Sequence, residues 1–227
     1  MATAKSSFSI SRLIELFDKE LNRDESKSLD LALKSLAKRL EYCEYHYQLY
    51  LENSTPSKLT RERSGIPHNN SIRTQYEANF LAFLNNLHCI VDAAPYALNI
   101  IYKQTTGKSI DDKNVGWGDH IKLYSNEKIH AAIDKIINCE TFQTIRELSN
   151  RSKHKHLIPI SNSGESLTIA SFSYSIKGAP EIVVPPTNLD EFMRQCHESL
   201  IPLVVNLFNE VISIKEKEYV NNNLMPS

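Results

Sequence analysis

From about Glu25 to Leu51 the apolar residues Leu29, Leu33, Leu36, Leu40, Cys43 and Tyr47 advance by three or four positions. From about Ser71 to Gln104 a second series does the same through Tyr76, Phe80, Phe83, Leu84, Leu87, Ile90, Val91 and Leu98. A helix completes a turn in about 3.6 residues, so each series lines up on one face that must be covered by another element. Glycine usage points the same way. Only six glycines and nine prolines occur in 227 residues, too few for a sandwich or barrel built from many tight turns. The expected fold is mainly α, a helical bundle with one long kinked helix and a small β-hairpin or ribbon before the last helix.

The remaining elements follow from caps and breakers. Ser9 or Ser11 caps a first helix carrying Leu13, Ile14, Leu16, Phe17 and Leu21. Residues 53–70 hold Pro56, Gly65 and Pro67 among polar side chains and read as a loop. Pro95 kinks the long helix, because it lacks a backbone donor and crowds the preceding turn. Gly107 is its expected stop. Residues 111–125 read as irregular around Trp117, the only tryptophan. Short helices are expected over 126–138 and 141–153. Residues 157–160, 166–176 and 181–184 alternate and are rich in β-formers, with turns at Gly164 and Gly178–Pro180, so one ribbon is expected over 157–184. Pro185–Pro186 ends it. Asn188 or Asp190 then caps a last helix, 188–219, bent at Pro202, and the tail from Asn221 frays. No repeat or linker is visible, so one domain spanning 1–227 is expected.

Composition narrows the function. A hydrophobic fraction of 41% and a charged fraction of 23% are those of a folded globular chain. The net charge of −1 lacks the basic excess of a dedicated duplex-DNA binder, so any role on nucleic acid must rest on a local site. Cys43, Cys89, Cys139 and Cys196 lie roughly fifty positions apart, without CxxC spacing, and read as free thiols in apolar stretches. No continuous apolar stretch suits a signal peptide or membrane span, and a cytoplasmic location is expected.

The densest polar chemistry runs from Arg146 to His156, where two arginines, two lysines, two histidines and an asparagine close a helix. Asn150 and His154 are four apart and share a face; Arg146 lies one turn back and Lys153 beside them. Cations suit a helix C-terminus through the macrodipole, so a solvated helix end is one reading of this cluster. A catalytic reading is the other. Metal-free RNA cleavage needs a base for the 2′-hydroxyl, an acid for the leaving oxygen and a cation for the phosphate. Histidine titrates near neutrality and arginine presents a planar fork to phosphate. Arg151, His154 and His156 are the catalytic candidates; Arg146, Asn150, Lys153 and Lys155 are the substrate-binding candidates.

The order of elements carries a resemblance. A long helix with FLAFLNNLHCIVDAAPYALNIIYK is followed by a shorter one, then a helix ending in ELSNRSKHKHLI, then strands. Over residues 72–160 this resembles the HEPN-like helical superfamily, particularly a bacterial branch with an N-x-x-K-H motif, here Asn150-Arg151-Ser152-Lys153-His154. The resemblance implies a metal-independent ribonuclease needing no cofactor, acting as a homodimer in a toxin–antitoxin or phage-defence setting, with an antitoxin or other protein as partner. It also implies an orienting role for Asp92 in the middle of the long helix. Active members carry arginine, a polar residue and, after four to six intervening residues, histidine. With Asn150 and His154 in those places, Ser149 stands where arginine belongs. With Arg151 and His156 there, Ser152 takes the polar position. The alternative class is a non-catalytic helical interaction or RNA-binding module with a degenerate motif.

Other groups have rival readings. Asp92, on the same helix as His88 and Cys89, can bind a His or Arg of the motif helix, and such a pair fits buried helix packing as well as function. His46, among Tyr42, Tyr45, Tyr47 and Tyr50, lies on an aromatic face that can stack bases or pack a core. His120, His130 and His197 do not fall at metal-ligand spacing, and HExxH, phosphate-loop, GxSxG and dinucleotide fingerprints are missing.

Overall fold

The computed structural model describes residues 7–17, 20–64, 70–108, 110–118, 126–175 and 180–224. The chain is mainly helical, with small antiparallel sheets before the last long helix. It divides into two compact units, each discontinuous in sequence. One draws on Met1–Arg39, Cys89–Cys139 and Leu200–Ser227; the other draws on Leu40–His88 and Glu140–Ser199. Helices α2 (Arg23–Asn53) and α4 (Asn70–Thr106) contribute residues to both.

In the first unit, α1 (Ile10–Phe17) starts at Ser9, whose Oγ accepts the Arg12 amide at 3.3 Å. Leu13 and Phe17 are buried, and Phe8 stacks on Phe208 at 4.7 Å. Helix α5 (Glu127–Ile137) is capped by Asn126, which accepts from the Lys128 amide at 3.0 Å. It packs Ile129, Ile133 and Ile136 against α8 (Ile201–Leu224). Pro95 leaves the carbonyl four residues back, that of Val91, without its helical donor. Trp117 Nε1 donates to that carbonyl at 2.9 Å. Asn99 closes the end of α4 by pairing with both the amide and the carbonyl of Ile110, at 3.1 and 2.9 Å. Gly107 ends the helix with φ of 68°, a conformation that suits glycine. Residues 119–125, which complete the irregular stretch read around Trp117 and include His120, lie outside the described residues.

The second unit corrects two expectations. The segment read as a loop over 53–70 contains α3 (Pro56–Arg63), because proline at a first helical position loses only an amide that had no partner anyway. Leu59 buries its inner face, and Thr60 Oγ1 donates to the Gly164 carbonyl at 3.1 Å. Gly65 and Pro67 lie outside the described residues. Secondly, the ribbon is two sheets. β1 (Ile160–Asn162) pairs with β2 (Leu167–Ile169) from Ile160↔Ile169 to Asn162↔Leu167. β5 (Thr187–Asn188) joins the other edge of β2, with Thr168 opposite Asn188. β3 (Phe172–Ser175) and β4 (Glu181–Val184) pair antiparallel in a separate sheet, and residues 176–179 lie outside the described residues.

The last helix, expected over 188–219, is present as a continuous helical run with a π turn inside it. Asn188 caps α7 (Leu189–Gln195) by accepting the Glu191 amide at 2.9 Å. A π turn, Cys196–Leu200, then precedes α8. Pro202 provides no amide for the Glu198 carbonyl, and the widened turn absorbs that defect. Helix α8 continues to Leu224, beyond the expected end at 219 and into the tail read as frayed. Residues 225–227 lie outside the described set.

The cysteines are free thiols, buried at Cys43 and Cys196 and half-buried at Cys89 and Cys139. Among the described residues, no helix is long and apolar enough to cross a membrane.

Candidate functional site

The polar cluster closes α6 (Glu140–His154), whose inner face carries Phe142, Ile145, Leu148 and Ser149 at three- and four-residue spacing. That periodicity decides which motif residues reach water. Arg146, Asn150, Lys153 and His154 occupy the outer face and are exposed, as are Lys155 and His156 just beyond the helix. Ser149 is fully buried and donates its hydroxyl to Asn85 Oδ1 at 3.1 Å. The position that would hold arginine in the first register therefore points into the core.

Arg151 sits between these faces. Its guanidinium lies over the Phe172 ring, 5.3 Å from the centroid, and Nη2 donates to the Ser173 carbonyl. Its Nε is buried without a hydrogen-bond partner among the described residues. One turn earlier, Glu147 faces the same strand; burial first, then its charge, raises the Tyr174 phenol. Arg151 therefore braces α6 against β3, and a cation held over a ring gains from the ring quadrupole. Ser152, the polar residue of the second register, donates back to the Ser149 carbonyl at 2.8 Å.

The exposed groups are differently disposed. Lys153 Nζ lies 3.4 Å from Nδ1 of buried His88, which accepts from the ammonium. His156 donates from Nδ1 to the Leu157 carbonyl at 3.0 Å, so its neutral ring carries the lone pair on Nε2. The Lys155 and His156 amides both close onto the Arg151 carbonyl, at 2.9 and 3.1 Å, which ends the helix and turns the chain toward Leu157. Arg146 lies over the Phe142 ring of its own helix at 5.8 Å. Cations gathered here meet the negative end of the helix dipole.

Asp92, the expected orienting residue, is exposed on α4 and belongs to the first unit, whereas the cluster belongs to the second. His46 donates from Nδ1 to Asn79 Oδ1 at 2.9 Å, while Tyr42 and Tyr45 are exposed and Tyr47 and Tyr50 are buried. Two contacts had no signal in the sequence. His197 Nε2 reaches Glu44 Oε2 at 2.6 Å across 153 positions, and Tyr50 donates to Asp190 Oδ1 at 2.6 Å across 140. Among the described residues, no three His, Cys, Asp or Glu side chains gather as a metal-ligand set.

The chain from Leu157 to Ile160 adds a feature that motif reading missed. It borders α4 to leave a cleft of about 220 Å³ lined also by Arg73, Glu77, Phe80 and Leu81. No protein-family model, curated protein or solved structure matches the chain.

Proposed function

We propose that this chain is a HEPN-like protein acting on RNA through the exposed end of α6, as a metal-independent endoribonuclease. The observation that supports this best is the grouping of Arg146, Asn150, Lys153, His154, Lys155 and His156 on solvent-facing positions over eleven residues. His156 has Nδ1 occupied and Nε2 open in its neutral form, the arrangement a general base requires. His154, at the helix end, is the complementary acid. Arg146, Lys153 and Lys155 neutralise phosphate, and Asn150 supplies an uncharged hydrogen-bonding group. Arg151 contributes by holding the helix end in place. In a homodimer two such clusters meet, which compensates for the sparse set on each chain. A toxin or phage-defence role, with an antitoxin as protein partner, belongs to the same proposal.

A second reading has its own support. Ser149 is sealed in the core and Arg151 is engaged by Phe172 and Ser173, so neither motif register sets a fully solvent-facing arginine beside a histidine. A non-catalytic RNA-binding or interaction module needs no such arginine. Cleavage of a mixed RNA pool by purified protein in chelator separates the two. The ribonuclease reading expects cutting by wild type and a loss of about a hundredfold or more in His156→Ala or His154→Ala. Intact RNA with wild type, or equal cutting by both variants, leaves the binding module.

A further inference from the structure

The cleft beside the cluster has a built polar edge. Arg73 Nε donates to Glu77 Oε1 at 2.9 Å, Nη1 to Glu62 Oε1 at 3.3 Å and Nη2 to the Ile160 carbonyl at 2.8 Å. Arg73 thus stands between two carboxylates, of which Glu77 lines the cleft beside it. A carboxylate there can accept from N–H donors of a bound group. Tyr76, on the same turn of α4, is fully buried and its hydroxyl has no hydrogen-bond partner among the described residues. Burial, and the nearby charges of Glu62 and Glu77 against that of Arg73, push its phenol up to about 12.

The remaining walls are apolar: Phe80 and Leu81 on one side, Leu157, Ile158 and Pro159 on the other. Leu157 is 66% exposed, so its side chain is open to solvent at the edge of the cleft. Its carbonyl is the group that accepts from His156 Nδ1. The wall of the cleft and the proposed base are therefore hydrogen-bonded to one another.

A cleft of this size, apolar on its faces and with a carboxylate at one edge, suits a single planar heterocycle with N–H groups on its rim. Among the RNA bases, guanine alone presents two adjacent donors, N1–H and the 2-amino group, on its pairing edge. A carboxylate accepts such a pair as a fork. Glu77 Oε2 is not used in the bond to Arg73.

We infer that this cleft is a base pocket that takes one unpaired guanine of the RNA beside His156, with Glu77 reading its donor edge. The inference rests on the RNA-acting reading above and adds the choice of nucleotide to it.

The test is equilibrium titration of the full-length protein, in chelator, with the four nucleoside 3′-monophosphates. Guanosine 3′-monophosphate is expected to bind about tenfold more tightly than the other three, the discrimination typical of one bidentate base contact. Glu77→Gln should bring the four to within about twofold of each other. That substitution also weakens the Arg73 clamp, so Leu157→Ala provides a second probe at an exposed wall. It should weaken guanosine binding severalfold while leaving the melting temperature unchanged. Equal affinities, absence of binding, a preference that survives Glu77→Gln, or undiminished binding by Leu157→Ala would each overturn the pocket. His156→Ala separates the two ideas, since it should abolish cleavage and preserve the guanosine preference. Guanosine-selective binding without cleavage by wild type sinks the ribonuclease and keeps the pocket. Cleavage indifferent to base does the reverse.

Discussion

Glu44 accepts from His197 Nε2 at 2.6 Å and from Gln48 Nε2 at 2.9 Å, and the His197 ring stacks on Tyr47 at 4.4 Å. Burial alone raises the Glu44 carboxyl, but these two hydrogen bonds outweigh it and hold the group below its ordinary value of 4.5. A carboxyl lowered on folding contributes stability above its unfolded value, and the contribution disappears as the pH falls through the lower folded one. Thermal melts of wild type and Glu44→Gln from about pH 3 to about pH 7 should therefore diverge near neutrality and converge at the acid end. The gap should be below about 1 kcal/mol, because the carboxylate is half exposed. A gap that stays constant with pH would show that charge on Glu44 is not its source. The Asn150–His156 cluster was legible because neighbours in sequence make it. Glu44 and His197 were not, because only packing joins positions 153 apart.

Three prolines in or beside helices have three outcomes, and the difference lies in what happens to one carbonyl each. Pro56 begins α3 and orphans nothing. Pro202 is answered by the π turn Cys196–Leu200. Pro95 is answered by an indole, since Trp117 donates to the Val91 carbonyl. Trp117→Phe should cost about 1–3 kcal/mol, the usual penalty for a buried polar group left unpaired. In a Pro95→Ala background the residue 95 amide can pair with Val91, and the same substitution should cost less. Denaturant unfolding of the four proteins measures the coupling; equal costs in both backgrounds would refute the link. Proline positions are plain in a sequence. Their consequences are not, because the compensating donor sits 26 residues away in the chain.

At the scale of the molecule, a net charge of −1 has to coexist with affinity for a polyanion if the proposed function holds. The attraction assigned to the site then comes from Arg146, Lys153 and Lys155, and salt should report their number. Single-stranded nucleic acid releases about 0.7 of a counterion per phosphate neutralised. Three contacts give a slope of log affinity against log salt of about −2, and Lys155→Ala should make it shallower by about 0.7. A wild-type slope near zero would mean that no phosphates are bound at the end of α6.

The helical class, the buried stripes of α2 and α4, a cap at Asn188 or Asp190 and the basic end of α6 were all determined along the chain. Each depends on a period of 3.6 residues or on bonds spanning a few positions, so a sequence displays them directly. The division of 157–188 into two sheets, the seating of Arg151 over Phe172 and the cleft between α4 and Leu157–Ile160 were decided in three dimensions. Strand partners and cleft walls come from distant segments. Which of several possible pairings forms depends on how apolar area is buried across the whole unit, and no local spacing encodes that choice.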